Sequence, residues 1–313
     1  MNTKTIILSV LVAVFGITGV GVMAQQDEDV RGAFMTTRPQ VTSGVSGSRS
    51  TPRAQPSHRR PKTTPATAST NVTSSNTSKG HTGNSGSGGT KLNPVRMGLG
   101  VTLFMRDSTG LAVRTDPSHT FQKGDHVRFL IETNADGYLY VFNTTDDGKP
   151  VMLYPDPQLD DGGNYFQAHV PFEIPSSVAP EERLRWLTFD EHPGAEKLYF
   201  VFSREPLAGV PIEDDLISHC QANKCPWNPG DDVWTEIQKQ MKEPMKIART
   251  TNSGAQTSAE HRAATRGIGL NRDDPEPSLI MLSASTTSNV LVAQVDLIHK
   301  AAFLSGVSNN SGR

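Results

Sequence analysis

Cysteine is scarce in this chain of 313 residues, which contains only two. One intramolecular disulfide is therefore the most that it can form, and the cysteine spacings of zinc modules do not occur. The sequence also lacks Gly-x-Ser-x-Gly, His-Glu-x-x-His and P-loop signatures, so it indicates no catalytic residue. Stripes of aromatic and basic residues, which are typical of nucleic-acid-binding modules, are missing too. We therefore expect a protein that is not an enzyme, binds no nucleic acid and needs no metal or cofactor.

Long apolar runs are missing after the first 22 residues. Lys4 supplies a positive start, and Ile6–Val22 is an apolar run of about 17 residues, at the short end for a membrane span. Small or compact residues follow at the positions that signal peptidase recognises. We therefore predict a secretory signal peptide that is cleaved between Ala24 and Gln25. An uncleaved anchor is the alternative. No cysteine follows the cleavage point, so a bacterial lipid anchor is not indicated. The sequence thus predicts an exported protein, periplasmic or extracellular, with no transmembrane helix after cleavage.

The segment 25–96 is rich in Ser, Thr, Pro and Gly and poor in large apolar residues. Such a composition buries too little surface to offset the entropy of ordering, so it predicts a disordered linker. It is basic, and His58–Lys62 ("HRRPK") is its densest point, whereas 97–246 is acidic. The linker could be a plain soluble spacer, could lie loosely against the acidic domain, or could reach an anionic surface.

From residue 97 onward, short apolar segments alternate with turn residues. Examples are Leu99–Arg106, His126–Thr133, Tyr138–Asn143 and Lys197–Arg204. This pattern, without helices in between, predicts a mainly β fold, an antiparallel β-sandwich with immunoglobulin-like layering. The predicted regions are a signal peptide (1–24), the linker (25–96), a β-sandwich domain (97–206), a small helical insert with the cysteine pair (207–247), a flexible linker (248–277), two strands that complete the sheet (278–300) and a loose C-terminus (301–313).

The two cysteines, Cys220 and Cys225, are close in sequence. In an exported protein an even pair predicts a disulfide, provided that the chain turns between the two residues and the helix before them ends near Cys220. A metal site that includes His219 is the alternative, but a fourth ligand at a recognisable spacing is missing.

Three further groups of residues have polar or aromatic side chains in patterns that could bind a ligand. Asp156, Asp160, Asp161 and Asn164 share a loop that could hold calcium, although the spacing is not that of an EF-hand and a solvated acidic loop is the simpler interpretation. Trp186, Trp227 and Trp234 could stack on sugar rings if they line one face, but Trp186 lies in an apolar strand and is more typical of a core. Trp227 is the best exposed candidate. Ser218, His219 and Cys220 are neighbours on a helix and point in different directions, which argues against joint catalysis.

Four motifs in the β region occur in a fixed order: Phe121–Phe129, Asp136–Tyr140, Leu153–Pro155 and Phe189–Glu196. With this order and spacing, about a third of the chain resembles a bacterial domain-of-unknown-function family, number 4384. The resemblance implies an extracytoplasmic domain, which other members often attach to caspase-like peptidases, kinases or repeat modules. It implies no activity. The glycines and prolines of the motifs indicate turns, and their aromatic residues indicate a core. The first interpretation of the motifs is therefore that they are needed for folding.

The sequence therefore predicts an exported binding or envelope-associated module, whose partner is an unidentified protein or a cell-envelope polymer. A hydrolase that acts on envelope material is one alternative, and it requires that carboxylates such as Asp156, Asp160, Glu191 and Glu196 face one cleft. An accessory subunit of a secretion or signalling assembly is another.

Overall fold

A computed structural model describes residues 18–40, 58–60, 96–159, 162–222 and 224–301 of the chain. These ranges contain four α-helices, thirteen β-strands and one 3-10 turn at Glu182–Leu184. The helices are α1 (Thr18–Met35), α2 (Glu213–Gln221), α3 (Asp231–Gln240) and α4 (Ser258–Arg266). The strands are β1 (Gly98–Arg106), β2 (Ala112–Arg114), β3 (Thr120–Phe121), β4 (His126–Thr133), β5 (Gly137–Thr145), β6 (Val151–Tyr154), β7 (Tyr165–Phe166), β8 (Phe172–Ile174), β9 (Leu187–Thr188), β10 (Gly194–Ser203), β11 (Met245–Arg249), β12 (Leu279–Ser283) and β13 (Val290–His299).

The strands form two sheets, which confirms the predicted mainly β class. One sheet has the order β11-β12-β1-β4-β8, with β2 beside β1 and β9 beside β4, and all its pairs are antiparallel. The other has the order β3-β13-β10-β5-β6, with β7 beside β5. In this second sheet β3 runs parallel to β13, so the prediction of purely antiparallel pairing is wrong at that edge.

The inner faces of both sheets contribute to one apolar core. Alternate residues of a strand point to the same face, and Val127, Phe129 and Ile131 of β4 enter the core together with Leu198 and Phe200 of β10. The rings of Phe129 and Phe200 lie 5.5 Å apart in an edge-to-face arrangement. The alternating apolar pattern of the sequence therefore corresponds to burial between the two sheets.

The outer face of the second sheet carries another apolar layer. Tyr140, Phe142 and Tyr199 are buried there beneath the helical segment that includes α2 and α3. The Trp234 ring of α3 packs edge-on against both Phe142 and Tyr199. Burial on both faces explains why the sequence of β5 is apolar at consecutive positions instead of alternating.

The predicted linker over 25–96 needs correction where the structure describes it. Helix α1 packs Val30 and Phe34 against Ala248, Ile280 and Leu282, on the outer face of the first sheet. After α1, the side chain of Arg38 is fully buried. The composition is polar on average, but a few large side chains at suitable spacing are sufficient to attach the segment. The tripeptide 58–60 also contacts the domain, as described below.

The predicted flexible linker over 248–277 also differs from the structure. It begins with the end of β11 and contains α4, whose first turn has a capping box between Thr257 and Glu260. Glu260 is buried and forms an ion pair with Arg114 of β2. A polar composition hides this element, because α4 is held by a cap, an ion pair and two small buried residues, Ala263 and Ala264, instead of a stripe of large apolar side chains.

The two strands predicted at 278–300 form, but they join different sheets. β12 pairs with β1, whereas β13 pairs along its whole length with β10. The structure therefore interlocks the C-terminal part of the chain with both layers. None of the helices within the described ranges combines the length and the apolar character that crossing a bilayer requires.

Candidate functional site: a cavity between the sheets

A cavity of about 270 Å³ lies between the two sheets, near the ends of β4, β9 and β10. Its walls are mostly apolar, and several polar side chains lie among them. The apolar lining consists of Val127, Phe129, Leu153, Leu187, Phe189, Leu198 and Leu297, and the polar lining of Asn143, Thr145, Thr188, Asp190, Glu196 and His299.

Glu196 is the central polar group of this lining. Its Oε2 accepts a hydrogen bond from Asn143 Nδ2 at 2.8 Å and another from the Thr145 hydroxyl at 2.9 Å. These donors come from β5, directly beside Glu196 in the sheet, since Glu196 pairs with Thr145 in the register of β5 and β10. The sheet pairing thus holds the carboxylate in a fixed position at the cavity.

The turn between β5 and β6 fixes this corner. Asp146 and Asp147 both have positive φ, at 48° and 59°, which is typical of the tight hairpin turn that precedes Gly148. Asp146 Oδ1 accepts from the backbone N–H of Ala195 at 2.8 Å, and Asp147 pairs with Lys197 at 2.5 Å. The turn therefore clamps the start of β10, where Glu196 lies.

The opposite side of the cavity is built by the segment around Phe189. Its ring stacks on Phe121 with centroids 4.7 Å apart, and the buried ring of His299 lies 5.1 Å from it. Asp190 follows, and the backbone N–H of His192 donates to it at 2.7 Å. That hydrogen bond, aided by the His192 side chain, holds the pKa of Asp190 below its usual value. Asp190 is therefore a carboxylate at neutral pH.

The cavity thus combines apolar walls with two carboxylates, those of Asp190 and Glu196. Apolar walls bind the hydrocarbon part of a ligand, and a few fixed polar groups orient it. Carboxylates accept hydrogen bonds and attract positive charge. The arrangement suits a ligand with an apolar body and a cationic or hydrogen-bond-donating end.

The acidic residues that the sequence analysis singled out do not share a site. Asp156 accepts from the backbone N–H of Gln158 within its own loop, and burial raises the pKa of Asp156 more than this bond lowers it. Glu191 pairs with Lys123 in solvent. Asn164 is buried and donates to the Leu139 carbonyl. Asp160 and Asp161 lie outside the described residues. Across the described ranges, no three His, Cys, Asp or Glu residues are grouped as metal ligands.

The three tryptophans are all partly buried and have protein partners. Trp227, the best candidate for stacking on a ligand, packs into the apolar layer under the helical segment. Trp234 packs in the same layer. Trp186 lies beneath the guanidinium of Arg128, whose central carbon is 4.1 Å from the ring centre.

Cys220 and Cys225 lie at disulfide distance, with α-carbons 4.8 Å apart. Helix α2 ends at Gln221, as the turn between the cysteines requires. His219 Nε2 is 2.9 Å from the carbonyl oxygen of Lys224 across this turn, and Ser218 donates to the Asp214 carbonyl. These local contacts leave the Ser218, His219 and Cys220 side chains without a common centre.

The cavity residues illustrate what sequence reasoning missed. Glu196 ends the fourth motif, and the sequence suggests it only as one of several carboxylates that a hydrolase would need. Asn143 and Thr145 are ordinary residues at the end of a strand. His299 comes from the last strand, about 100 residues farther along. The sequence does show polar residues at the ends of these strands. It does not show that they meet, because that depends on how β5, β10 and β13 pair.

Residues 120–206 match a family model described as Domain of unknown function (DUF4384). The predicted resemblance is confirmed over this segment. All the cavity-lining residues except Leu297 and His299 belong to the DUF4384 match. No curated protein and no solved structure matches the chain.

Proposed function

We propose that the protein is an exported binding module, with immunoglobulin-like layering of its two sheets, that captures a ligand in the cavity. The observation that carries this proposal is the composition of the lining, which comes almost entirely from the DUF4384 segment. The apolar run at the N-terminus supports export. The ligand that best suits the walls is an amphiphile with a cationic head.

A matched series of probes tests this proposal on the full mature chain. Hexylammonium, hexanol and hexanoate share an apolar body and differ in charge. We expect affinity to fall in that order, because the carboxylates of Asp190 and Glu196 line the cavity. Titrations followed by NMR chemical shifts measure each dissociation constant.

Two variants locate the site. Glu196→Gln removes the charge and keeps the shape, so it should weaken hexylammonium binding about tenfold, the value of one charge-assisted hydrogen bond. Hexanol binding should change little. The control, Glu191→Gln, changes an exposed carboxylate near the same turn and should leave both affinities as they are. Equal binding of the three probes, or equal effects of the two variants, would contradict the proposal.

A second candidate function is hydrolysis, because Asp190 and Glu196 line the same cavity. Paired carboxylates in one cleft are the feature that acid–base hydrolysis requires. Incubation with cell-wall polymer, followed by measurement of new reducing ends or amines, separates the two functions. Product that disappears in Glu196→Gln would favour the hydrolase, whereas bound but unchanged material would favour the binding module.

A further inference from the structure

Residues 58–60 of the basic tail lie in a groove of the domain. The backbone N–H of Tyr165 donates to the His58 carbonyl at 2.6 Å. His58 Nδ1 lies 3.2 Å from the Tyr165 carbonyl oxygen, and because a carbonyl only accepts, this nitrogen carries the hydrogen. One backbone bond and one side-chain bond therefore attach His58 to Tyr165 of β7.

The His58 side chain occupies an aromatic socket. Its ring stacks on Phe166 with centroids 4.8 Å apart and lies 4.2 Å from Phe172. The residue is only 5% exposed. Phe166 and Phe172 also contact Tyr154 within the core, so the socket is a rigid part of the fold.

A glycine lets the tail approach this closely. A β-carbon on Gly163 would lie 2.5 Å from the carbonyl carbon of His58 and 2.7 Å from the nitrogen of Arg59. Both distances are far shorter than atomic contacts allow. The Gly163 carbonyl accepts from the Tyr154 hydroxyl at 3.0 Å, which fixes the glycine against the core. The floor of the groove is therefore shaped for a peptide backbone.

Acidic residues at the start of α2 contact the Arg59 side chain and the backbone of Arg60. Arg59 forms an ion pair with Asp214 at 2.8 Å, and the backbone N–H of Arg60 is 3.4 Å from a Glu213 carboxylate oxygen. Asp214 is largely exposed, so this ion pair contributes little energy and mainly selects for positive charge. The socket supplies apolar contact, and the helix supplies charge complementarity.

We propose that this groove is a recognition site for short basic peptides that contain His-Arg, and that the chain occupies it with its own segment 58–60. The site is separate from the cavity between the sheets, and Phe166, Phe172, Gly163, Glu213 and Asp214 do not line that cavity. The tail acts as an intramolecular ligand that a basic peptide of another molecule must displace.

Peptide binding in trans tests the site. The probe is a fluorescein-labelled peptide with the sequence of residues 54–64, and fluorescence anisotropy reports its binding to the full mature chain. In the wild-type chain the attached segment competes at high effective concentration. In His58→Ala this competitor loses its anchor, so the variant should bind the probe at least about tenfold more tightly than the wild type does.

Two double variants show whether the groove is responsible. Adding Gly163→Ala to His58→Ala places a methyl group where the peptide backbone lies and should reduce the affinity at least about tenfold. The matched control adds Gly269→Ala, because a β-carbon there meets only the His169 carbonyl oxygen at 3.5 Å, an ordinary contact. It should leave binding unchanged. Equal probe binding by the wild type and His58→Ala, or equal effects of the two glycine changes, would overturn the proposal.

Limited proteolysis tests the intramolecular contact without any substitution in the tail. Trypsin cleaves after arginine, and docking should protect the bond after Arg59. In Gly163→Ala this bond should be cut several times faster than in the wild type, while cleavage after Arg53 serves as the internal reference. An unchanged ratio of the two cleavage rates would overturn docking of the segment.

Discussion

The guanidinium of Arg38 is an uncommon group to find in a protein interior, since its side chain has no exposed surface. Its partners compensate for the lost hydration. Arg38 donates two hydrogen bonds to the Glu132 carboxylate, at 2.8 Å and 2.6 Å. His169 contacts the same carboxylate through Nδ1 at 2.8 Å and the Thr37 hydroxyl through Nε2 at 2.9 Å. The remaining guanidinium hydrogens point to backbone carbonyls of Asn271, Asp274 and Pro275.

Replacing Arg38 should therefore destabilise the fold strongly. Arg38→Met leaves Glu132 charged and buried with one partner fewer, and the loss of one member of a buried pair costs about 3–5 kcal/mol. Urea unfolding of the full mature chain measures this free energy. The control, Arg183→Met, breaks an exposed pair with Glu181 and should cost less than about 1 kcal/mol. Similar values for the two variants would contradict the role assigned to Arg38.

The same network should make stability depend on acid pH. Burial by itself raises the pKa of Glu132, but bonds from His169 and Arg38, together with their charges, outweigh it and lower the pKa below its ordinary value. A carboxyl group with a lowered folded pKa stabilises the fold fully above its unfolded pKa, about 4.3, and loses that contribution as the pH falls through the folded pKa.

Comparison with Glu132→Gln isolates this effect. The difference in unfolding free energy between the wild type and the variant should be constant from pH 6 to about pH 5 and should shrink at lower pH. Urea titrations at several pH values measure it. A difference that stayed constant down to pH 3, or that grew, would show that Glu132 is not ionised in the folded protein as described.

At the scale of single elements, the turn between Cys220 and Cys225 remains the clearest prediction. The cysteines lie at disulfide distance, and the loop that they would close is short. Loop entropy gives such a bridge about 2 kcal/mol. We expect protein purified from its own host to show no free thiols under denaturing conditions without reductant. The double variant Cys220→Ala, Cys225→Ala should lose about 2 kcal/mol in urea unfolding. Two reactive thiols per chain would contradict the disulfide.

Elements with polar sequences show why the linker predictions were incomplete. Helix α4 and the segment after α1 contain few apolar residues, and composition alone indicates disorder for them. Arg114 is paired with Glu260, and Arg38 with Glu132, which is 94 positions away in the chain. A charged side chain gives no sign in the sequence of whether it faces water or a buried partner, so only the tertiary arrangement distinguishes the two.

At the scale of the whole molecule, strands β5 and β10 contribute side chains to two apolar layers, one on each face of their sheet. This arrangement should make the two layers unfold cooperatively. Phe200 lies in the core between the sheets, while the neighbouring Tyr199 supports the helical segment through Trp234. If one layer unfolds, the strands that also support the other layer lose their packing on one face. We therefore expect sheets and helices to unfold together, so that circular dichroism and tryptophan fluorescence give the same urea midpoint.

The variant Phe200→Ala tests this coupling. Truncation of a buried phenylalanine costs about 3–5 kcal/mol, and both signals should move to lower urea by the same amount. Separate midpoints, with fluorescence unaffected by the substitution, would show that the helical segment folds independently of the core.

The sequence by itself determined the long β-strands, most of their turns and the DUF4384 resemblance, because these depend on local rules. Alternation of side chains along a strand and the preference of glycine and proline for turns act within a few residues. For the same reason the sequence predicted the turn between the cysteines and the helices around it.

Only the tertiary structure decided which distant residues meet. Strand pairing brings Asn143, Glu196 and His299 to one cavity, and a socket formed by Phe166 and Phe172 receives His58 from a stretch whose composition predicts disorder. The physical reason is that such contacts depend on shape and charge complementarity between surfaces that exist only after folding. A single buried histidine or arginine can attach a segment, and its own neighbours in the sequence do not reveal it.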